Sequence, residues 1–303
     1  AMERNFVTID VFAKARFGGN QLAVVLDAQG LETAEMQAIA HEFNYAETTF
    51  VLPPKDPANT AEVRIFTPKA EMPFAGHPNV GTAFVLAREG AAFGKPIGGK
   101  VIFEEKAGLV PIDILSENGA VTGARLQAPK AFSRGESFDP ALIAEAIHLP
   151  ANTVLTVRHP PCVASSGLPF LVAELESVAA LNAASPNLPV LSKLLNRPVI
   201  DGIYIYAADG ADGVDVQSRM FAPDLGVFED AATGSAAVAF IGLMASLDPT
   251  PDGQISKRIL QGAKLGRPSY LDASAIKSGG AVTATFVGGR CVPVMRGTLY
   301  ADN

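Results

Sequence analysis

Val63-Arg64-Ile65-Phe66-Thr67-Pro68 returns in the second half of the chain as Ser218-Arg219-Met220-Phe221-Ala222-Pro223. Both runs have the β-branched and aromatic make-up of a strand and end in a proline that stops it. A glycine follows each before an apolar helical stretch, in Ala75-Gly76-His77-Pro78-Asn79-Val80 and again in Thr233-Gly234-Ser235-Ala236-Ala237-Val238. Upstream, Gly19 to Leu26 is matched by Gly167 to Glu174, and Thr48 to Leu52 by Ile203 to Ala207. Matched segments in one order at a nearly constant offset mark an internal duplication.

The length agrees with two cores, since 303 residues exceed the usual size of one. The expected division is 1–128 and 129–303, with the turn-rich stretch Ala128 to Gly135 between them; the last strand, about 291–300, is free to return to the first domain. Other alternating runs read as strands: Phe6 to Val11, Leu22 to Leu26, Ala61 to Phe66, Lys100 to Phe103, Val110 to Leu115 and Val121 to Gln127. Thr33 to Phe43 has Met36, Ile39, Ala40 and Phe43 at helical spacing, with Thr33 as the expected N-cap. Asn79 to Arg88 is a second helix with Pro78 in its first turn. Ala236 to Ser246 is apolar all round, which predicts a helix enclosed by sheet. The fold class is therefore α+β: two similar halves, each a strongly curved sheet with one principal buried helix.

Composition narrows the function. A hydrophobic share of 48% against 18% charged residues suits large packed cores rather than disorder. A net charge of −7 without a basic run argues against a nucleic-acid surface. The longest apolar stretch, about Ala236 to Ala245, is too short for a membrane span. Cys162 and Cys291 suggest neither a disulfide framework nor a thiolate metal site, so a reduced cytoplasmic compartment is expected, with both thiols buried.

The glycine turns put backbone amides at two helix N-termini, at Gly76-His77 and Gly234-Ser235. Unsatisfied N–H groups and the positive end of the helix dipole suit a carboxylate or a phosphate. Tight turning alone is the plainer reading of either glycine. Neither turn has the spacing of a nucleotide-phosphate loop. Chemistry is expected where the copies differ: Glu47 stands where the second half has Gly202, His77 where it has Ser235, and Asp230 opposite the neighbourhood of Met72. Burial near Phe43, Ala46 and Phe50 would lift the Glu47 carboxyl towards neutrality, suiting proton exchange; a helix-end glutamate bonded to backbone is the alternative. His77 titrates in the physiological range, or is a loop histidine held by backbone. Asp230 is either a functional carboxylate or a turn residue. His41, His148 and His159 read as surface or structural residues, and no ligand spacing points to a metal.

Arg64-Ile65-Phe66-Thr67-Pro68, Glu71-Met72-Pro73-Phe74-Ala75-Gly76-His77-Pro78, Gly81-Thr82-Ala83, Gly19-Asn20, Ala46-Glu47-Thr48, Asp230-Ala231-Ala232-Thr233-Gly234-Ser235-Ala236 and Gln261-Gly262 with Gly266-Arg267-Pro268-Ser269 together resemble the PhzF (phenazine biosynthesis-like) family. The resemblance runs in order from about Asp10 to Ser269. It implies a diaminopimelate epimerase-like fold, two β-barrels each around a central helix with the active site between them, usually in a homodimer. It also implies a cofactor-independent isomerase acting on a small carboxylate-bearing molecule. Glu47 would be the general acid/base, His77 and Asp230 would assist, and Gly76, Gly234 and Ser235 would hold substrate. The two-cysteine racemase chemistry of more distant cousins is not expected, because His77 and Ser235 stand at the two turns. Gln21 departs from the family, which usually has proline there. The alternatives are a non-catalytic metabolite-binding or protein-interaction module and an epimerase acting at a single stereocentre.

Overall fold

A computed structural model of the protein describes residues 2–196 and 200–301. The chain divides into two compact units, Ala1–Leu126 with Gly288–Asn303, and Gln127–Val287. The long strand Ala281–Ala301 contributes to both.

In the first unit the strands pair in a closed ring. Met2–Val11 pairs antiparallel with Asn20–Val25, which pairs parallel with Glu47–Leu52. Glu47–Leu52 pairs antiparallel with Ala61–Phe66, and that strand parallel with Lys100–Glu105. Gly108–Glu117 and Ala120–Gln127 follow antiparallel, and residues 288–301 close the ring back onto Met2–Val11. Closure gives every strand of the ring a neighbour on both sides. The helix Thr33–Phe43 (α1) packs outside, burying Met36 and Ala40 with Phe50, Phe66 and Val25. Its N-cap is Glu32, not the expected Thr33. Glu32 and Glu35 form a reciprocal capping box, while the Thr33 hydroxyl accepts a hydrogen bond from Arg64. Asn44 ends the helix in the left-handed region.

Inside the ring lies the helix Gly76–Glu89 (α2), buried from Gly76 to Leu86. Its neighbours are Met2–Val11, Asn20–Val25, Glu47–Leu52 and Gly108–Glu117. Such close enclosure explains Gly81. A Cβ there would lie 2.5 Å from Leu22, 2.7 Å from Val11 and 2.9 Å from Ile9.

The second unit repeats the order and the directions. Cys162–Ser165, Pro169–Leu175, Gly202–Ala208, Val216–Ala222, Gly253–Gln261 and Ser269–Ser278 pair in turn as antiparallel, parallel, antiparallel, parallel and antiparallel neighbours. The helix Gly234–Leu247 (α3) is buried among them, as its uniform apolarity predicts. The register makes the duplication residue-specific. Leu22 faces Glu47 as Phe170 faces Gly202, and Ile65 faces Met72 as Met220 faces Asp230. Each copy also keeps an arginine–glutamate pair ahead of its buried helix, Arg64–Glu71 at 2.8 Å and Arg219–Glu229 at 2.6 Å.

The stretch Ala128 to Gly135, read as the boundary, runs into a strand, Ser133–Ser137, paired with Cys162–Ser165; all five of its residues are exposed, so no alternating pattern marks it. The segment beyond it holds three short helices, Pro140–Ala146, Val178–Ala183 and Leu188–Leu195, that bury Ile143, Leu181 and Leu191 in the second unit's core. Among the described residues no helix is long and apolar enough to cross a membrane.

The close contacts at Gly81 generate a test. Gly81→Ala should destabilise the protein by about 1–3 kcal/mol despite the better helix propensity of alanine, because overpacking against three strand side chains outweighs the ~1 kcal/mol propensity gain. Denaturant unfolding measures it, and a more stable variant would show that the ring yields.

Candidate active site

Glu47 opens the strand Glu47–Leu52, three residues after the α1 C-cap Asn44, so the chain enters the barrel at this residue. His77 is the second residue of α2 and is 5% exposed. The two side chains meet, with His77 Nε2 3.3 Å from Glu47 Oε2. His77 Nε2 also lies 3.4 Å from the carbonyl oxygen of Gln21. That carbonyl can only accept, which favours a proton on Nε2. Gln21, the one departure from the family pattern, thus contributes its backbone to the site.

The glutamate is the electrostatically unusual member of this pair. Its side chain is 17% exposed, and Oε2 is sealed from solvent without a well-aligned hydrogen bond among the described residues. Burial pushes the Glu47 carboxyl up to about 7. At that value it is populated in both protonation states near neutral pH, the condition for taking and returning a proton.

One wall of the site comes from the loop between the first two strands. Asp10, 2% exposed, accepts a 2.6 Å hydrogen bond from the Phe17 amide. Phe12 and Phe17 both have positive φ. Gly19 does too, at φ 66°, where a Cβ would come within 2.4 Å of the Val11 carbonyl oxygen. This strained loop delivers Asn20 and Gln21 to the ladder beside Glu47. Asp10 was not singled out in the sequence; its partner lies seven residues away across an irregular loop, which no period reveals.

In the second unit, the backbone of Gly234 and the side chain of Ser235 stand in the first turn of α3. Asp230 ends the strand Val227–Asp230 and accepts a 2.8 Å hydrogen bond from the hydroxyl of Thr233, the α3 N-cap. Gln261 braces the same turn. Its amide donates to the Asp230 carbonyl and the Thr233 hydroxyl, and its oxygen accepts from the Thr233 amide. Asp230 therefore has the geometry of a turn residue while its carboxylate stays beside the first turn of α3. The structure brings Glu47 and His77 together within the first unit, and Asp230, Gly234 and Ser235 together within the second.

The remaining histidines have other surroundings. His159 is buried, and its Nε2 lies 2.6 Å from the Tyr206 hydroxyl. Both His41 and His148 are exposed and lie near backbone carbonyls. Both cysteines are buried, and burial raises each thiol, Cys291 to about 12. Neither is a ready nucleophile.

A ring of strands wound around one buried helix, with the same strand order repeated around a second buried helix, defines the diaminopimelate epimerase-like class, and comparison with known proteins agrees. The family model for phenazine biosynthesis-like protein, PhzC-PhzF, matches residues 9–297, and the chain belongs to that family. It is 37% identical to a trans-2,3-dihydro-3-hydroxyanthranilate isomerase of Pseudomonas aeruginosa, over 97% of this chain and 99% of the relative. Its fold is similar to that of a PhzF-family phenazine biosynthesis protein from Bacillus anthracis, with a TM-score of 0.88 at 24% identity, covering 99% of this chain and 100% of the other. A hydroxyproline epimerase from Agrobacterium vitis shares the fold at a TM-score of 0.65 and 12% identity, over 99% and 91% of the two chains. The protein is an enzyme of the isomerase class.

Glu47 makes a prediction about stability. A carboxyl raised from 4.5 to about 7 on folding makes the native state hold a proton that the unfolded chain has released, so stability falls as pH rises between those values. Glu47→Gln should therefore melt progressively higher than wild type from about pH 5 to pH 7 and hold that advantage above, by up to about 3 kcal/mol. Thermal melts across this range check it; a difference independent of pH would mean that Glu47 ionises normally.

Proposed function

We propose that this isomerase moves a proton between two positions of a small carboxylate-bearing metabolite, cyclic or amino-acid-like, by general acid/base catalysis without a metal or organic cofactor. The carrying observation is the Glu47 carboxyl, raised to about 7 by burial and 3.3 Å from His77 Nε2 at the first turn of α2. Glu47 removes a proton acidified by a neighbouring carbonyl, imine or diene and returns it to another carbon. His77 holds the substrate and the developing charge beside it, the pairing that proton transfer requires.

The amide of Gly76 supplies an anion-holding group in the first unit. In the second unit Gly234 and Ser235 offer an equivalent turn, with Asp230 fixed by Thr233 and Gln261 as a carboxylate for an ammonium or hydroxyl of the substrate. Because the Pseudomonas aeruginosa relative is named for trans-2,3-dihydro-3-hydroxyanthranilate, that compound is the first substrate to try.

The test is turnover in deuterium oxide. Wild type should incorporate solvent deuterium at the carbon that receives the proton, and Glu47→Gln should slow incorporation by ~10²-fold or more. Label entering at the wild-type rate in Glu47→Gln would remove Glu47 from the mechanism. Exchange at one carbon with inversion and no rearrangement would instead identify an epimerase.

A further inference from the structure

A second acidic side chain reaches the first turn of α2, from the strand Lys100–Glu105. Glu105 Oε1 accepts a 3.1 Å hydrogen bond from the side-chain amide of Asn79, which is wholly buried in that turn. The other two polar atoms of the same pair, Glu105 Oε2 and Asn79 Oδ1, are sealed from solvent and have no hydrogen-bond partner among the described residues. While Glu105 is ionised both are acceptors, and neither can satisfy the other. A proton on Oε2 turns it into a donor for the kind of group that Asn79 Oδ1 is, so acid and carboxamide close a ring of two hydrogen bonds.

Beyond the Asn79 amide, the nearby cations are engaged elsewhere. Arg64 and Lys106 are both committed to Glu71, and Lys55 to Glu62. Glu104 is occupied by the amides of Lys55 and Asp56 and the side chain of Asn59. In the first turn of α2 the ionisable group is His77, which faces Glu47. Burial pushes the Glu105 carboxyl up to about 8.

The duplication supplies an independent observation. In the parallel ladders, Glu104 lies opposite Glu62 and Gln261 opposite Ser218. Since Ser218 corresponds to Val63, the counterpart of Gln261 is Glu105. Gln261 braces the first turn of α3 through Thr233, as Glu105 reaches the first turn of α2 through Asn79. A carboxamide is the uncharged isostere of a glutamic acid, and one copy of the repeat carries it outright.

We infer that Glu105 is held as a neutral glutamic acid at neutral pH, hydrogen-bonded through both oxygens to the Asn79 carboxamide, and acts as the positioning residue for the α2 turn that carries Gly76 and His77. The inference deepens the proposed function but is tested without turnover, so either can fail alone. Wild-type protein and Glu105→Gln are titrated by NMR from about pH 5 to pH 10, following side-chain carboxyl carbons and backbone amides, with thermal melts alongside.

The Glu105 carboxyl should titrate near 8 in wild type. The amides of Gly76, His77 and Asn79 should show an inflection at that midpoint which vanishes in Glu105→Gln, leaving any inflection from Glu47. The folded state retains the Glu105 proton to higher pH than the unfolded chain does, so wild type should lose stability relative to Glu105→Gln from about pH 5 to pH 8 and not beyond. Glu105→Ala, which cannot brace Asn79, should melt lower than Glu105→Gln at every pH. A wild-type midpoint near 4.5, or the same amide inflection persisting in Glu105→Gln, would overturn the inference. The wild-type titration reads the acid directly even if a variant does not fold.

Discussion

A helix enclosed by a closed ring of strands has its unpaired backbone groups only at its ends. In α2 the residues from Gly76 to Leu86 are buried, so the first-turn amides, the His77 ring and the Asn79 side chain concentrate the polar groups of an apolar interior at one place. Any acid that reaches this turn is drawn out of water, and its proton affinity rises. Glu47 and Glu105 both do so, from different strands, and both are raised chiefly by burial. The site's chemistry is therefore a consequence of the enclosure, with few charges recruited to tune it.

Duplication builds the same enclosure twice and equips it differently. Both copies keep the strand order, the glycine at the start of the buried helix and the arginine–glutamate pair that ties the preceding strand to the short strand after it. These are scaffold features that the two copies share. The differences fall at the turn itself. Glu47 corresponds to Gly202, His77 to Ser235, Glu105 to Gln261, and Asp230 to Met72. The first unit thus holds titratable groups in a dry setting, and the second holds a carboxylate braced by neutral hydrogen-bonding side chains. A pair of copies under different constraints can separate proton handling from ligand holding, which a single turn must combine.

Much of this was legible in the sequence because it is local or repeated. The period of Met36, Ile39, Ala40 and Phe43 placed α1 correctly, and the apolar run from Ala236 placed α3 inside a sheet. Where signals were weak or shared, the reading slipped. The α1 cap moved to Glu32 because a reciprocal pair with Glu35 competes with the Thr33 hydroxyl, which Arg64 engages from a distant strand. Ser133–Ser137 escaped because a fully exposed edge strand has no buried face to write into its pattern. No period sets Glu105 apart within Glu104-Glu105-Lys106, yet Glu104 caps an exposed loop while Glu105 turns towards Asn79.

The sequence by itself determined the duplicated α+β plan, the two glycine turns and the asymmetry between them, because strand composition, helix period and repeated motifs are properties of neighbouring residues. Only the tertiary structure decided which acids lose their water and which partners they find. Desolvation depends on strands and helices brought together from far along the chain: His77 faces Glu47 and the Gln21 carbonyl, and Asn79 faces Glu105, through ring closure that no local pattern encodes.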